Sequence, residues 1–226
     1  MKIAVLGTGP VGRTLAARFA TLDHDVVIGT RDVTDTLART EPDGWGSPAF
    51  SVWLGGHPEV RPASFAEAAA HGDLVVNATN GAASLTALTL AGADHLAGKV
   101  LVDVSNPLDF SHGMPPTLLV KDTDSLGEQI QRAFPDTRVV KTLNTMTADL
   151  QADPGQLAAG DHTVFVSGDD AEAKEKVTRF LESLGHTDVI DLGDITTARG
   201  TEMYLPLWLR MWGALGTGIF NIKVVR

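Results

Sequence analysis

Apolar residues in this chain fall into short runs separated by amphipathic stretches. Ile3 to Leu6 is an unbroken apolar run closed by glycine, the pattern of a strand buried on both faces. From Pro10 to Leu22, the residues Val11, Leu15, Phe19 and Leu22 recur at helical spacing and predict a helix with one buried stripe. Asp25 to Thr30 (DVVIGT) reads as a second strand. Strand, helix and strand together fill about 30 residues, the size of one βαβ unit.

The alternation resumes further on. Ser64 to His71 reads as a helix opened by a Ser64-x-x-Glu67 capping box. Strands are predicted at Asp73–Ala78 (DLVVNA), Lys99–Val104 (KVLVDV) and Arg138–Lys141, and helices at Ser84–Ala91 and Ser125–Phe134. The last third predicts a strand at His162–Ser167 and then a helix capped by Asp169. That helix has the apolar face Val177, Phe180, Leu181 and Leu184, and Gly185 stops it. A strand at Asp188–Leu192 and a final helix from Thr196 to Gly213 complete the pattern. Such alternation implies an α/β protein, a doubly wound Rossmann-type fold with a mostly parallel sheet. Residues 1–150 read as the Rossmann domain, and 151–226 as a small α/β extension that completes a substrate pocket and offers a dimer contact.

Residues 41–62 break the rhythm with Pro42, Pro48, Pro58, Pro62, several glycines, Trp45 and Trp53. Disordered segments are poor in aromatics, so this is an ordered excursion. It reads either as a flap over the sheet edge or as part of a substrate pocket or dimer contact.

Gly7-Thr8-Gly9-Pro10-Val11-Gly12 follows the first strand and opens the first helix. Gly7 permits the tight turn, Gly9 lets a pyrophosphate approach the backbone, and Gly12 lets helix and sheet pack closely. The helix N-terminus then offers free N–H groups to phosphates. The motif in this context implies dinucleotide binding. At the end of the second strand an acidic residue would hold the ribose 2′-hydroxyl of NAD, but this chain has Thr30-Arg31-Asp32. A hydroxyl and a planar cation suit the 2′-phosphate of NADP. Asp32 is either a competing NAD-type acid or the cap of the next helix. Further strand ends converge on the same crevice: Asn77-Ala78-Thr79, Ser105-Asn106-Pro107 and Asn144-Thr145-Met146. Their small and amide side chains suit a flat nicotinamide ring, or serve as turn and cap residues.

Composition narrows the chemistry. The 226 residues carry a net charge of −10, with 43% hydrophobic residues and no cysteine. Thiolate catalysis, disulfides and cysteine metal sites are excluded, and the cysteine count fits the cytoplasm. No basic stripe suggests nucleic acid. The start MKIAVLG reads as a strand rather than a signal peptide. The apolar segment from Met203 to Phe220 contains Pro206, Arg210 and three glycines, so it reads as a buried or interface helix and not a membrane span. No two of the seven histidines make an H-x-x-x-H pair, so no metal site is expected. No lysine stands four residues after the single tyrosine, Tyr204, so the Tyr-x-x-x-Lys acid pair is missing. Lys141 ends a strand beside the crevice, where a lysine reads as solvated. No catalytic acid–base dyad emerges. That suits hydride transfer between two rings, for which the protein supplies orientation. Two other readings stay open: reduction of a small carbonyl or imine, with His112 or Tyr204 as proton donor, and a non-catalytic NADP sensor.

The chain also resembles a known family, the NADP oxidoreductases that use the deazaflavin coenzyme F420. The resemblance rests on GTGPVGRTLAARFATLDHDVVIGTRD, VVKTLNTM, VFVSGDDAEAKEKV and the closing EMYLPLWLRMWGALGTGIFNIKVV. VVKTLNTM and DVSNPLDF are also similar to the NADPH-binding domain of membrane ferric reductases, which pass electrons to a flavin. The resemblance implies direct hydride transfer between NADPH and a stacked deazaflavin or flavin. It implies phosphate contacts at Thr8, Gly9, Pro10 and Val11, and a 2′-phosphate held by Thr30 and Arg31. It would line the second ring with Asn106, Pro107, Asn144 to Met146, and the 205–207 and 216–218 regions. A homodimer is expected to cover the apolar closing segment.

Overall fold

The computed structural model describes residues 1–42 and 46–226; Trp45 of the excursion lies outside the described residues. The elements in chain order are β1 (Lys2–Leu6), α1 (Pro10–Thr21), β2 (Asp25–Thr30), α2 (Val33–Ala38), α3 (Phe50–Gly55), β3 (Arg61–Ser64), α4 (Phe65–His71) and β4 (Leu74–Asn77). They continue with α5 (Ser84–Ala91), α6 (Ala93–Leu96), β5 (Val100–Asp103), β6 (Leu108–Asp109), β7 (Thr117–Leu118), α7 (Leu126–Ala133) and β8 (Arg138–Thr142). The chain closes with α8 (Ala148–Ala152), β9 (Thr163–Ser167), α9 (Ala171–Leu184), β10 (Asp188–Asp191), α10 (Ala198–Met203) and α11 (Leu205–Leu215).

Eight strands form one sheet in the order β10-β9-β8-β5-β4-β1-β2-β3. Every pair is parallel except β8 with β9, where Lys141 faces Ser167 and Thr142 faces Val166. The sheet is doubly wound. One face packs on α1, α8, α9 and Phe50 of α3. The other packs on α4, α5, α6, α7 and Ala198 of α10. The all-apolar runs follow from this burial, because a central parallel strand has no solvent face; Ile3 to Leu6 are each 0% exposed. Gly12 is required by the packing of α1 on β1: a Cβ there would lie 2.0 Å from the Gly7 carbonyl oxygen.

The excursion contributes two elements that its pattern does not announce. The α3 helix buries Phe50 beside α1, and Arg61–Ser64 adds β3 in parallel to β2 at the sheet edge. Arg61-Pro62-Ala63-Ser64 has no apolar run, and an edge strand tolerates a proline that a central one does not. Between β5 and α7 a small antiparallel hairpin, β6 and β7, rises beside the sheet. Two local expectations are corrected. Asp170, not Asp169, caps α9 by accepting from the Ala173 N–H, while Asp169 accepts from the Ile195 N–H at 3.0 Å. The expected long final helix is divided into a 3-10 turn (Ile195–Thr197), α10 and α11. The division falls just before Pro206 in the first turn of α11, where a residue without an N–H is tolerated. Of the two readings of the closing segment, buried or interface, full burial does not hold within one chain: Leu207 and Leu215 are 56% and 59% exposed. Among the described residues no helix is long and apolar enough to cross a membrane.

The tail after α11 returns to the sheet. The Thr163 N–H donates to the Ile222 carbonyl, Asn221 Nδ2 donates to His162 Nδ1 at 2.8 Å, and Lys223 and Arg226 pair with Asp188. His186 packs edge-on to His162 and reaches the Gln151 carbonyl through Nε2 at 3.2 Å. Burial pushes the His186 pKa down from 6.5 to about 4, against the smaller opposing effect of that hydrogen bond. The native state therefore binds this proton more weakly than the unfolded chain. The contribution to stability is whole above about pH 6.5 and is lost as the pH falls toward 4, by about 3 kcal/mol at most. Urea midpoints at pH 7 and pH 5 check this: the acid-induced loss is expected to be larger in the native protein than in His186→Phe.

Candidate functional site

The loops after β1 and β4 diverge at the point where the strand order reverses, and a crevice opens there between Gly7 and Ala78. In open α/β sheets this is where ligands bind. Gly7 has φ +115°, and a Cβ on it would meet the Ala78 carbonyl oxygen at 2.6 Å. Only glycine allows the two loops to approach this closely. Two clefts extend from the crevice and share Ala78, Thr79 and Asn80.

The first cleft, about 410 Å³, runs over Gly7, Thr8 and Gly9 to the end of β2. Gly9 starts α1 with no side-chain cap, α1 has no acidic residue in its first turn, and a Cβ on Gly9 would meet nothing within 4 Å. Space and unsatisfied N–H groups therefore coincide at the loop. At the far end stand Arg31 and Arg39. Among the described residues neither guanidinium has an ion-pair partner. Thr30 is buried, and its hydroxyl is bonded to that of Thr36 at 2.8 Å. Asp32 caps α2, its Oδ1 accepting from the Asp35 N–H at 2.9 Å. Of the two sequence alternatives for Asp32, the cap is the one adopted.

The second cleft, about 370 Å³, is mainly apolar. Pro10, Val11, Ser105 and Asn106 lie on the sheet side, Phe110 and Met114 come from the β6–β7 hairpin, and Trp208, Leu209 and Trp212 come from α11. Trp208 stacks on Phe220 with ring centroids 5.3 Å apart.

Beneath this cleft lies a buried polar network. Asn77 Nδ2 donates to Asp103 Oδ1 at 2.9 Å, the Ser105 hydroxyl donates to the same oxygen at 2.7 Å, and Thr79 Oγ1 donates to Asn77 Oδ1 at 2.6 Å. Lys141 Nζ sits between Asp103 Oδ2 and Glu202 Oε1, 2.9 Å from each, and also donates to the Ser105 carbonyl at 2.6 Å. Glu202 in turn accepts the Leu126 and Gly127 N–H groups that open α7. Burial disfavours the Lys141 charge, but Asp103 and Glu202 together outweigh it and hold its pKa above the ordinary lysine value. Lys141 is 1% exposed, which corrects its reading as a solvated residue. It ends a run whose neighbours all face the core, and that run was the available signal.

The structure brings together at the two clefts Gly7, Thr8, Gly9, Pro10, Val11, Thr30, Arg31, Ala78, Thr79, Ser105 and Asn106. It does not bring Gly12, Asn77, Pro107, Asn144, Thr145 or Met146 to either lining. Asn144 instead clamps Asn106: its Nδ2 donates to Asn106 Oδ1 at 3.0 Å, and Asn106 Nδ2 donates to the Asn144 carbonyl at 2.9 Å. Met146 packs in the core. The 205–207 segment, the first residues of α11, also stays off the lining, which Trp208, Leu209 and Trp212 of the same helix form instead. The spacing of Trp208 and Trp212, one helical turn apart, could have revealed this. Arg39 was missed because it lies beyond α2, where only the fold turns it back toward Arg31. His112 is exposed on the hairpin and lines neither cleft. The Tyr204 hydroxyl is buried without a partner among the described residues, and burial pushes its pKa up.

The sequence profile of the family described as NADP oxidoreductase, coenzyme F420-dependent, matches residues 2–107. A crystal structure of a candidate F420-dependent NADP-reductase from Arthrobacter sp. FB24 is 66% identical, covers all of both chains and superposes with a TM-score of 0.96. This chain belongs to the family of F420-dependent NADP oxidoreductases. The F420-dependent NADP reductase of Methanocaldococcus jannaschii is 27% identical over 224 residues, 97% of each chain. Metalloreductase STEAP3 of Rattus norvegicus is 30% identical over 224 residues, 97% of this chain, but the chain spans only 40% of that relative's length. The glycine loop and the first cleft fall inside the profile match. The α11 wall of the second cleft lies beyond it, in the segment covered by the full-length similarities. This NADP-dependent oxidoreductase thus shares with its relatives both the α/β sheet and the C-terminal elements that close the crevice.

Proposed function

We propose that this NADP oxidoreductase passes a hydride between NADP(H), lying across both clefts, and the deazaflavin coenzyme F420 or a flavin stacked on the nicotinamide in the second cleft. The observation that carries the reading is the second cleft itself. It is mainly apolar, lined by the aromatic side chains Phe110, Trp208 and Trp212, and joined to the nucleotide cleft through Ala78, Thr79 and Asn80. When bound, the two rings supply the redox chemistry, a direct hydride transfer that needs no side chain as acid or base.

The residues present fit the nucleotide. The open space over Gly9 and the uncapped start of α1 receive the pyrophosphate, and Thr8, Pro10 and Val11 shape its path. Arg31, with Arg39 beside it, takes the 2′-phosphate. Thr30 acts through its neighbour Thr36 and shapes the floor. Ser105 and Asn106, the latter held by Asn144, define the plane on which the nicotinamide rests. Trp208 and Trp212 exclude water from the ring faces and bring the rings into contact, which is where the rate enhancement arises.

The test is to mix purified protein, NADPH and oxidised F420 and follow the visible absorbance of the deazaflavin, with FMN and FAD as parallel acceptors. Turnover with F420 is the expected result. Turnover with FMN or FAD alone would move the reading to a flavin reductase. Tight NADPH binding with no transfer to any acceptor would leave a nucleotide sensor. We further propose a homodimer that covers the exposed Leu207 and Leu215 of α11, to be read from the mass in solution by light scattering.

A further inference from the structure

Asp103, Lys141 and Glu202 come from β5, β8 and α10, and none is more than 1% exposed. Two carboxylates share one ammonium, so the cluster carries one negative charge in excess. Pairing does not require this excess. Lys141 would be satisfied by Asp103 and the Ser105 carbonyl alone, which together make a neutral group. Glu202 sets the sign. The first N–H groups of α7 offset part of its charge, but a helix terminus is worth only about half a unit. Among the described residues the nearest other buried carboxylate, Glu128, is paired with Arg199 and adds nothing net. The cluster reaches the second cleft directly through Ser105, which lines the cleft and donates its hydroxyl to Asp103, and at one remove through Asn77 and the cleft residue Thr79.

We infer that this buried excess of negative charge makes the site discriminate between the two redox states of the nicotinamide, binding the cationic oxidised ring more tightly than the neutral reduced ring. The inference rests on the placement of the nicotinamide in the second cleft given above. The ring gains a positive charge when it gives up its hydride, and a fixed negative charge buried below a mainly apolar cleft favours that state. The cluster therefore makes bound NADPH a stronger hydride donor. Glu202 and Asp103 touch no substrate in this account; they determine redox-state specificity through the field beneath Ser105.

The test measures dissociation constants for NADP+ and NADPH separately on the full chain, by calorimetry, in the native protein, Glu202→Gln, Glu202→Asp and Asp103→Asn. Glutamine keeps an acceptor for the α7 N–H groups and removes the charge. The ratio Kd(NADP+)/Kd(NADPH) is expected to rise about three- to tenfold in Glu202→Gln, the order of magnitude for removing one partly screened unit charge from beneath the ring. At 29.6 mV per tenfold for a two-electron couple, that is an upward shift of about 14 to 30 mV in the potential of the bound pair. Asp103→Asn is expected to move the ratio the same way, and serves if Glu202→Gln does not fold. Glu202→Asp keeps the charge and is expected to leave the ratio within about twofold. A merely structural role would weaken both ligands alike; an unchanged ratio in the two neutral variants overturns the inference, as does a Glu202→Asp ratio that moves as far as Glu202→Gln. If the native protein binds neither nucleotide, the proposed function fails first and takes this inference with it.

Discussion

Arg31→Ala is expected to lower NADPH affinity by about 10- to 150-fold, the range for losing a hydrogen-bonded charge pair of about 1.5–3 kcal/mol. NADH affinity should stay within about twofold. Three features of the first cleft put the effect on this residue. Its guanidinium has no ion-pair partner among the described residues, so nothing inside the protein competes with a phosphate. Thr30 is bonded to Thr36 and gives little direct contact. Asp32 and Asp35 line the same cleft, so removing Arg31 leaves an acidic rim that repels the 2′-phosphate. Arg39→Ala should show the same preference at smaller size, about three- to tenfold, because Arg31 remains. Calorimetric titrations with NADPH and NADH decide the matter. An equal loss for both nucleotides would detach Arg31 from the 2′-phosphate.

The other large effect is on stability. Lys141→Met leaves Asp103 and Glu202 facing each other in the core without a cation, and breaking a buried charge pair in this way costs about 3–5 kcal/mol. Because its pKa is raised in the native state, the stability that Lys141 contributes is whole below the ordinary lysine range. It is lost only as the pH climbs through and above that range. The gap between native protein and variant should therefore be full from about pH 7 up to the ordinary lysine range and narrow only above it. Urea denaturation across that interval measures the gap. A variant as stable as the native protein at neutral pH would show that the cluster contributes little net stability, as some buried ion pairs do.

Much of the fold was legible because its determinants are local. The apolar runs at Ile3–Leu6 and Val100–Val102, the helical stripe through Leu15 and Phe19, and the Ser64–Glu67 capping box each state their own structure. β3 was not legible, since an edge strand of Arg61-Pro62-Ala63-Ser64 takes its conformation from pairing with β2 rather than from its own composition. Nor was the reversal between β8 and β9, which depends on how residues 143–162 lead the chain back, not on either strand.

The candidate site divides along the same line. That the glycine loop and Thr30-Arg31 stand together along the first cleft could be read directly, because a turn with no room for a Cβ and the end of the adjacent strand are local features of one βαβ unit. Asn77, Asn144 and Lys141 were recognised as polar residues at strand ends, but their partners lie 26, 38 and 61 residues away in the chain. Only the tertiary structure decided that Asn144 braces Asn106 and that Lys141 joins β5 to α10. Only it decided that Trp208, Leu209 and Trp212 of α11, not its first three residues, wall the second cleft. Periodicity and steric limits act over a few residues and are written in the sequence, whereas the meeting of distant polar groups depends on the sheet order that assembles them.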